Sequence, residues 1–187
     1  MARDTPANGF TLIELMVALA LFALLLVLAV PMYVTFLASS QVRTAAEAML
    51  NGVLLAQNAA INNNNQVQLI VTPGTGWQIA FVNPDTSAGP GPQPPAPYLL
   101  TDGAPQAAIT TTPPGATEVT FDAFGRIAPN PDASQSLTCI KVTNNTNANA
   151  RALTVIVSNA NQQAGTKLCD PLAAATEPQA CPATACA

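Results

Sequence analysis

The chain has 187 residues, of which 49% are hydrophobic and only 9% charged, and it carries a net charge of −4 with no histidine. A soluble domain has about 25% charged residues, so an ordinary soluble protein is disfavoured, and the weak acidic balance gives no sign of a polyanionic partner. The length holds one anchor helix and one modest domain, while the missing histidine removes the commonest general acid–base group.

The first element is the hexapeptide Gly9-Phe10-Thr11-Leu12-Ile13-Glu14, followed by a stretch, 15–42, without a charged residue. One carboxylate thus heads a segment otherwise suited to lipid. An unpaired acid there costs from about 2 kcal/mol upward, so Glu14 calls for a cationic partner. A secretory signal has its small cleavage residue after the apolar core, whereas Gly9 stands before it. Cutting after Gly9 removes a polar leader, 1–9, and leaves the apolar segment on the mature chain with Phe10 as its new N-terminus. Arg3, lost together with Asp4, is the one basic side chain ahead of the apolar run, which favours a cytoplasmic leader and an exported C-terminal domain.

These six residues resemble the class III signal of type IV pilins and of the pseudopilins of type II secretion. The resemblance implies that a prepilin peptidase cleaves after Gly9 and methylates Phe10. It also implies that Glu14 pairs with the N-terminal amine of a neighbouring subunit during assembly. The chemistry agrees, because a buried acid and a buried ammonium neutralise each other and act as a register device more than as a source of stability.

One helix is expected over 10–64. Its apolar part, 10–31, supplies the roughly 20 residues that cross about 30 Å of hydrocarbon. Pro31 falls inside the pattern, where a proline removes a backbone hydrogen bond and usually kinks a helix; the resemblance implies that the helix bends or melts near this point in the filament. The second part, 32–65, is amphipathic. Val42, Ala46, Met49, Val53, Ala56 and Ala60 recur every three or four residues, and Arg43, Glu47, Asn51 and Asn58 fall elsewhere, so this half should lie on a sheet. Asparagines 62–65 end it.

Beyond the helix the period changes to two. Strands are expected at 67–71 and 77–82 around the turn Pro73-Gly74-Thr75-Gly76, and then at 107–111, 118–121, 137–143 and 153–157, with a short last strand ending at Cys169. The proline- and glycine-rich stretch 83–97 reads as an exposed loop. Gly125 supplies positive φ to a tight turn over 121–126, where Arg126 reads as a solvated turn residue. The predicted fold is α+β: a long N-terminal helix packed on an antiparallel sheet over 66–170, followed by a cysteine- and proline-rich tail, 171–187.

The amphipathic half, the polar turn and strand after it, and Phe121-Asp122 with Gly125-Arg126 before a last hairpin are similar to the H-type pseudopilins and minor pilins, the GspH/FimT family. That implies a minor subunit in few copies that primes assembly or sits at the filament tip, in either a type IV pilus or a type II secretion pseudopilus. It implies a single-pass protein of the bacterial inner membrane with a periplasmic domain, whose partners are the prepilin peptidase and other pilins through the N-terminal helix. Relatives that take up DNA carry a basic Gly-Arg-x-Arg motif where this chain reads Gly165-Thr166-Lys167-Leu168. With Lys141, Arg151 and Lys167 alone nearby, phosphate binding would be weak, so a DNA-binding minor pilin is the alternative and nucleic acid is not the expected partner. A membrane-anchored exported binding protein is the other alternative.

The four cysteines allow three connectivities, and disulfides persist outside the cytosol. The short span between Cys169 and Cys181, and the tail's need for a tether, favour Cys169–Cys181 with Cys139–Cys186. A metal site lacks Cys-x-x-Cys spacing and histidine; no metal or cofactor is expected. Asp85, Asp102, Glu118, Asp122, Asp132 and Asp170 show no paired spacing on one element, so no enzyme is expected.

Overall fold

The computed structural model describes residues 10–82, 94–157, 165–182 and 186. The leader and most of the 83–97 loop lie outside these residues. A single α-helix, α1, runs Leu12–Asn62. Thr11 precedes it as the N-cap: its Oγ1 accepts the Glu14 backbone N–H at 3.3 Å, satisfying one of the donors that a helix start leaves open. The helix ends in the expected asparagines, with Asn64 at φ 48°, a conformation asparagine tolerates better than most residues. Pro31 lies inside α1 and the helix continues through it. The proline has no N–H for the Val27 carbonyl, and the Thr35 hydroxyl donates to the Pro31 carbonyl at 3.1 Å.

The chain divides into two units, one ending at Leu37 and one beginning at Ala38. In the first, every side chain from Phe10 to Val34 is exposed. In the second, Ala38, Val42, Ala45, Ala46, Met49, Gly52, Val53, Ala56 and Ala60 form a continuous buried stripe. Arg43, Glu47, Asn51 and Asn58 face solvent. Most of that stripe is alanine or glycine, so the helix backbone comes close to the strands, and the bulk is supplied from the sheets by residues such as Leu69, Trp77, Phe121 and Ile140. Gly52 marks the closest approach. A Cβ there would sit 2.7 Å from the Trp77 ring, and the Trp77 indole N–H donates to the Ala48 carbonyl at 2.9 Å.

The strands are β1 (Val67–Thr72), β2 (Gly76–Phe81), β3 (Tyr98–Leu99), β4 (Ala107–Thr112), β5 (Glu118–Phe121), β6 (Ile127–Ala128), β7 (Cys139–Asn144), β8 (Leu153–Ile156) and β9 (Lys167–Cys169). A 3₁₀ turn, Leu100–Asp102, follows β3. They form two sheets where one was expected: a five-stranded sheet ordered β3-β2-β1-β5-β6 and a four-stranded sheet ordered β4-β7-β8-β9. All ladders are antiparallel. The chain passes between the sheets three times, from β3 to β4, from β4 to β5 and from β6 to β7; Pro113-Pro114-Gly115 makes the second passage, with two consecutive residues that cannot donate to a ladder. Residues ahead of β7 bridge the division, for Leu137 N–H donates to the Glu118 carbonyl and Thr138 N–H to the Thr112 carbonyl, both at 2.8 Å. That is why β7 begins at Cys139 and not at Leu137. The two-residue strands β3 and β6 are too short to show an alternating pattern in sequence.

Side-chain alternation sends Val67, Leu69, Val71, Ile79, Val119 and Phe121 of the first sheet, and Ile109, Ile140, Val142 and Val155 of the second, into one core with the helix stripe. At about 25 cal/mol per Å² of apolar area removed from water, a fully buried Met, Leu or Val contributes about 1.5–3 kcal/mol. Next to this core, Thr120 donates to Asn130 Oδ1 at 2.9 Å and Asn130 Nδ2 donates to Ser134 Oγ at 3.0 Å. The two residues are buried, and the bonds hold the loop after β6 against β5.

The opposite face of the second sheet carries Cys139, Ile156 and Cys169, which cluster with Cys181 and Cys186. Disulfides join Cys139 to Cys186 and Cys169 to Cys181, with Cα–Cα distances of 5.7 and 4.9 Å. These are the pairings that the tether argument selects. Asp170 locks the smaller loop from inside. Buried, it accepts the Arg151 guanidinium and the Leu172 N–H, the latter at 2.8 Å, and its backbone N–H donates to the Gln179 carbonyl at 2.7 Å. Burial pushes this carboxyl's pKa up, but the hydrogen bonds from Leu172 and Arg151 outweigh that and leave it below the usual value.

Candidate assembly site

The capped start of α1 places Glu14 in its first turn, where the positive end of the helix dipole favours a carboxylate. Thr11 and Glu14 stand in the Thr-x-x-Glu spacing of a capping box, and the Thr11 half of it is formed. Ile13, Val17, Ala18 and Leu21 lie beside Glu14 on the exposed helix surface and make its surroundings apolar. Glu14 has no salt-bridge partner among the described residues. The structure therefore presents one acidic group on a hydrocarbon surface. Phe10 lies just outside the helix and is exposed; Gly9, the expected cleavage residue, lies outside the described residues. By length and composition α1 is able to cross a membrane, and none of its most apolar window is buried.

The cations of the last hairpin are committed within the chain. Arg151 pairs with Asp170, and Lys167 Nζ donates to the Pro178 carbonyl at 3.3 Å. Lys141 is exposed on β7. Arg126 is more than the solvated residue expected: its guanidinium holds Asp122 at 2.9 Å and lies 5.0 Å from the centre of the Phe124 ring.

The structure also brings together two carboxylates that the sequence separates. Glu118 and Asp132 line one open polar hollow. Burial and the Asp132 charge raise the Glu118 pKa, and Gln68 donates to its carboxylate. Asp132 is held by Ser134, whose backbone N–H donates to Oδ1 at 2.9 Å. Both acids are thus held by hydrogen bonds within the chain.

The sequence matches the family described as type II transport protein GspH over residues 45–161. The chain belongs to the GspH family. Residues 5–30 match the prokaryotic N-terminal methylation motif, which spans Gly9, Phe10 and Glu14. Among solved structures, the chain is similar to the type IV minor pilin FimU of Pseudomonas aeruginosa in two crystal forms. The first is 16% identical with a TM-score of 0.48, covering 68% of this chain and 87% of that one. The second is 15% identical with a TM-score of 0.47, covering 67% and 90%. No curated protein matches the chain. Membership of the GspH family and the methylation motif make this a pilin-like chain with an apolar N-terminal helix, of a family of structural subunits that are processed and assembled into filaments.

Proposed function

We propose that this GspH-family chain is a minor pilin or pseudopilin, inserted in low copy to prime a filament or to form its tip. Before assembly it is held in the bacterial inner membrane by its apolar helix, with residues 38–187 in the periplasm. A prepilin peptidase cuts after Gly9 and methylates Phe10. The ammonium so created on one subunit meets the Glu14 carboxylate of another, and each group removes the cost of the other in hydrocarbon. The helices then exchange lipid for protein contacts of similar polarity.

The observation that carries this reading is Glu14: the single charge of residues 10–42, in the first turn of the helix behind its Thr11 cap. A plain membrane anchor has no use for such a group. Mass spectrometry of the mature protein tests the reading, with an N-methylated Phe10 expected as the first residue. Gly9→Leu should leave a heavier, unprocessed chain that stays in the membrane. An intact Met1 in assembled material, or unchanged gel mobility of the Gly9 variant, contradicts it. Uptake of DNA gains little support from the second sheet, since Arg151 and Lys167 have partners within the chain and Lys141 alone is a weak phosphate site.

A further inference from the structure

The connection from β7 to β8 meets the helix where its buried stripe begins. Arg151 donates its backbone N–H to the Ser39 hydroxyl at 3.3 Å, and Ala38 is the first buried residue of α1. The connection is also held from within. Asn144 Oδ1 accepts the backbone N–H groups of Thr146 and Asn147 at 3.0 and 2.9 Å and the Thr146 hydroxyl at 2.9 Å. Asn147 Oδ1 accepts the Asn149 N–H at 3.0 Å, and the Asn145 N–H donates to the Gln106 carbonyl at 2.8 Å. Asn145, Thr146, Ala148 and Asn149 are exposed on this loop.

Chain length bounds what the loop can reach. Tyr33 is 62% exposed and is the kind of amphipathic aromatic residue that membrane–water interfaces favour. It stands where a span begun at Leu12 completes its roughly 20 residues. Ser39 follows Tyr33 by six residues, about 9 Å of helix and at most about 22 Å of chain in any conformation. The headgroup layer on each side of the hydrocarbon is itself about 5–8 Å deep. The turn between β5 and β6 packs instead on Ile61, about 33 Å beyond Ser39 along the helix. A lipid surface at Tyr33 is therefore within reach of the β7–β8 loop and far from the β5–β6 turn.

We propose that the β7–β8 loop rests on phospholipid headgroups while the chain is held in the membrane, the Asn145 and Asn149 side-chain amides donating to lipid phosphate oxygens. The proposal rests on the membrane-held state described above and adds which surface of the domain the lipid touches. Each amide offers two N–H donors, and the hydrogen bonds that already fix the loop keep the ordering cost of the contact low. No carboxylate occurs between Asp132 and Asp170, so nothing on the loop repels phosphate.

The test uses the full processed chain in nanodiscs of phosphatidylethanolamine and phosphatidylglycerol, read by amide NMR. One sample carries gadolinium on a lipid headgroup and a second carries a nitroxide on an acyl chain. The headgroup probe should erase the signals of residues 145–149 and leave those of 122–126, while the acyl probe should erase those of 15–30. Equal survival of 145–149 and 122–126 under the headgroup probe, with 15–30 erased by the acyl probe, overturns the proposal and leaves the membrane-held reading standing. Survival of 15–30 under the acyl probe overturns both. Asn149→Asp sets a carboxylate against anionic lipid and should weaken the contact roughly fivefold, the effect of one charge at such a surface, so that signals of 145–149 return. Asn149→Lys should keep them erased. Signals indifferent to the charge at position 149 also overturn the proposal.

Discussion

Leu24 and Met49 belong to the same helix, yet Leu24 is 62% exposed and Met49 is fully buried. Around Leu24 the sequence is apolar on all sides, and the protein offers it nothing to pack against. Around Met49 the sequence alternates with the helical period, and two sheets close over the apolar side. A helix that is apolar all round has its partner outside the chain, in lipid or in other helices. A helix with one apolar stripe has its partner inside. The first region is therefore specified by where it goes, and the second by what it folds with.

If the two regions differ in this way, substitutions should separate them in thermal unfolding of the full chain in detergent micelles, followed by circular dichroism. The largest effect is expected from the tail. Cys139→Ser with Cys186→Ser opens a link of sequence separation 47 and should cost about 4 kcal/mol; a reductant should lower the melting temperature of the wild-type chain further, because it also opens Cys169–Cys181. Met49→Ala follows, at about 3 kcal/mol for a truncation in a closed core. Gly52→Ala should cost about 1–2 kcal/mol, because the rigid Trp77 ring leaves no room for the methyl and overpacking outweighs the gain of about 1 kcal/mol in helix propensity. Leu24→Ala should change unfolding by less than about 0.5 kcal/mol, as for other exposed sites. A loss at Leu24 as large as that at Met49 would erase the distinction between the regions.

Acid sharpens the comparison from the other side. Asp170 has a lowered pKa in the folded chain, so its contribution is complete above the unfolded carboxylate value of about 3.9. It is lost as the pH falls through the lower folded value. The disulfide-bonded domain should thus lose stability below about pH 4, and Asp170→Asn should be less stable at pH 7 and flatter in that range. An unaltered acid profile in the Asn variant would show that Asp170 does not hold the tail.

Periodicity made the helix legible from its sequence, because Val42, Met49 and Val53 repeat with the helical turn and Arg43, Glu47 and Asn51 do not. It was also enough for β1, β2, β4 and β5, whose bounds fall within about a residue of expectation. Ala45 and Gly52 went unseen as core residues, since small side chains carry little hydropathy; Gly52 is there to let Trp77 approach. The division into two sheets was hidden because it depends on which strands pair, β1 with β5 and β4 with β7, and local alternation does not carry that. The Arg151–Asp170 pair was hidden for a similar reason: it joins the start of β8 to a disulfide loop. At the candidate assembly site, Glu14 stands out in the sequence because a lone charge in an apolar run is costly in hydrocarbon.

Glu14→Gln is the most direct test of the central claim, for it keeps the shape of the side chain and removes its charge. Quantified by immunoblot, the variant should reach wild-type abundance in the inner membrane, be processed to Phe10, and be missing from sheared filaments and from complexes with other pilin-like subunits. Wild-type abundance of the Gln variant in those filaments would contradict the account, since assembly would then proceed without a negative charge to meet the ammonium of the neighbouring chain.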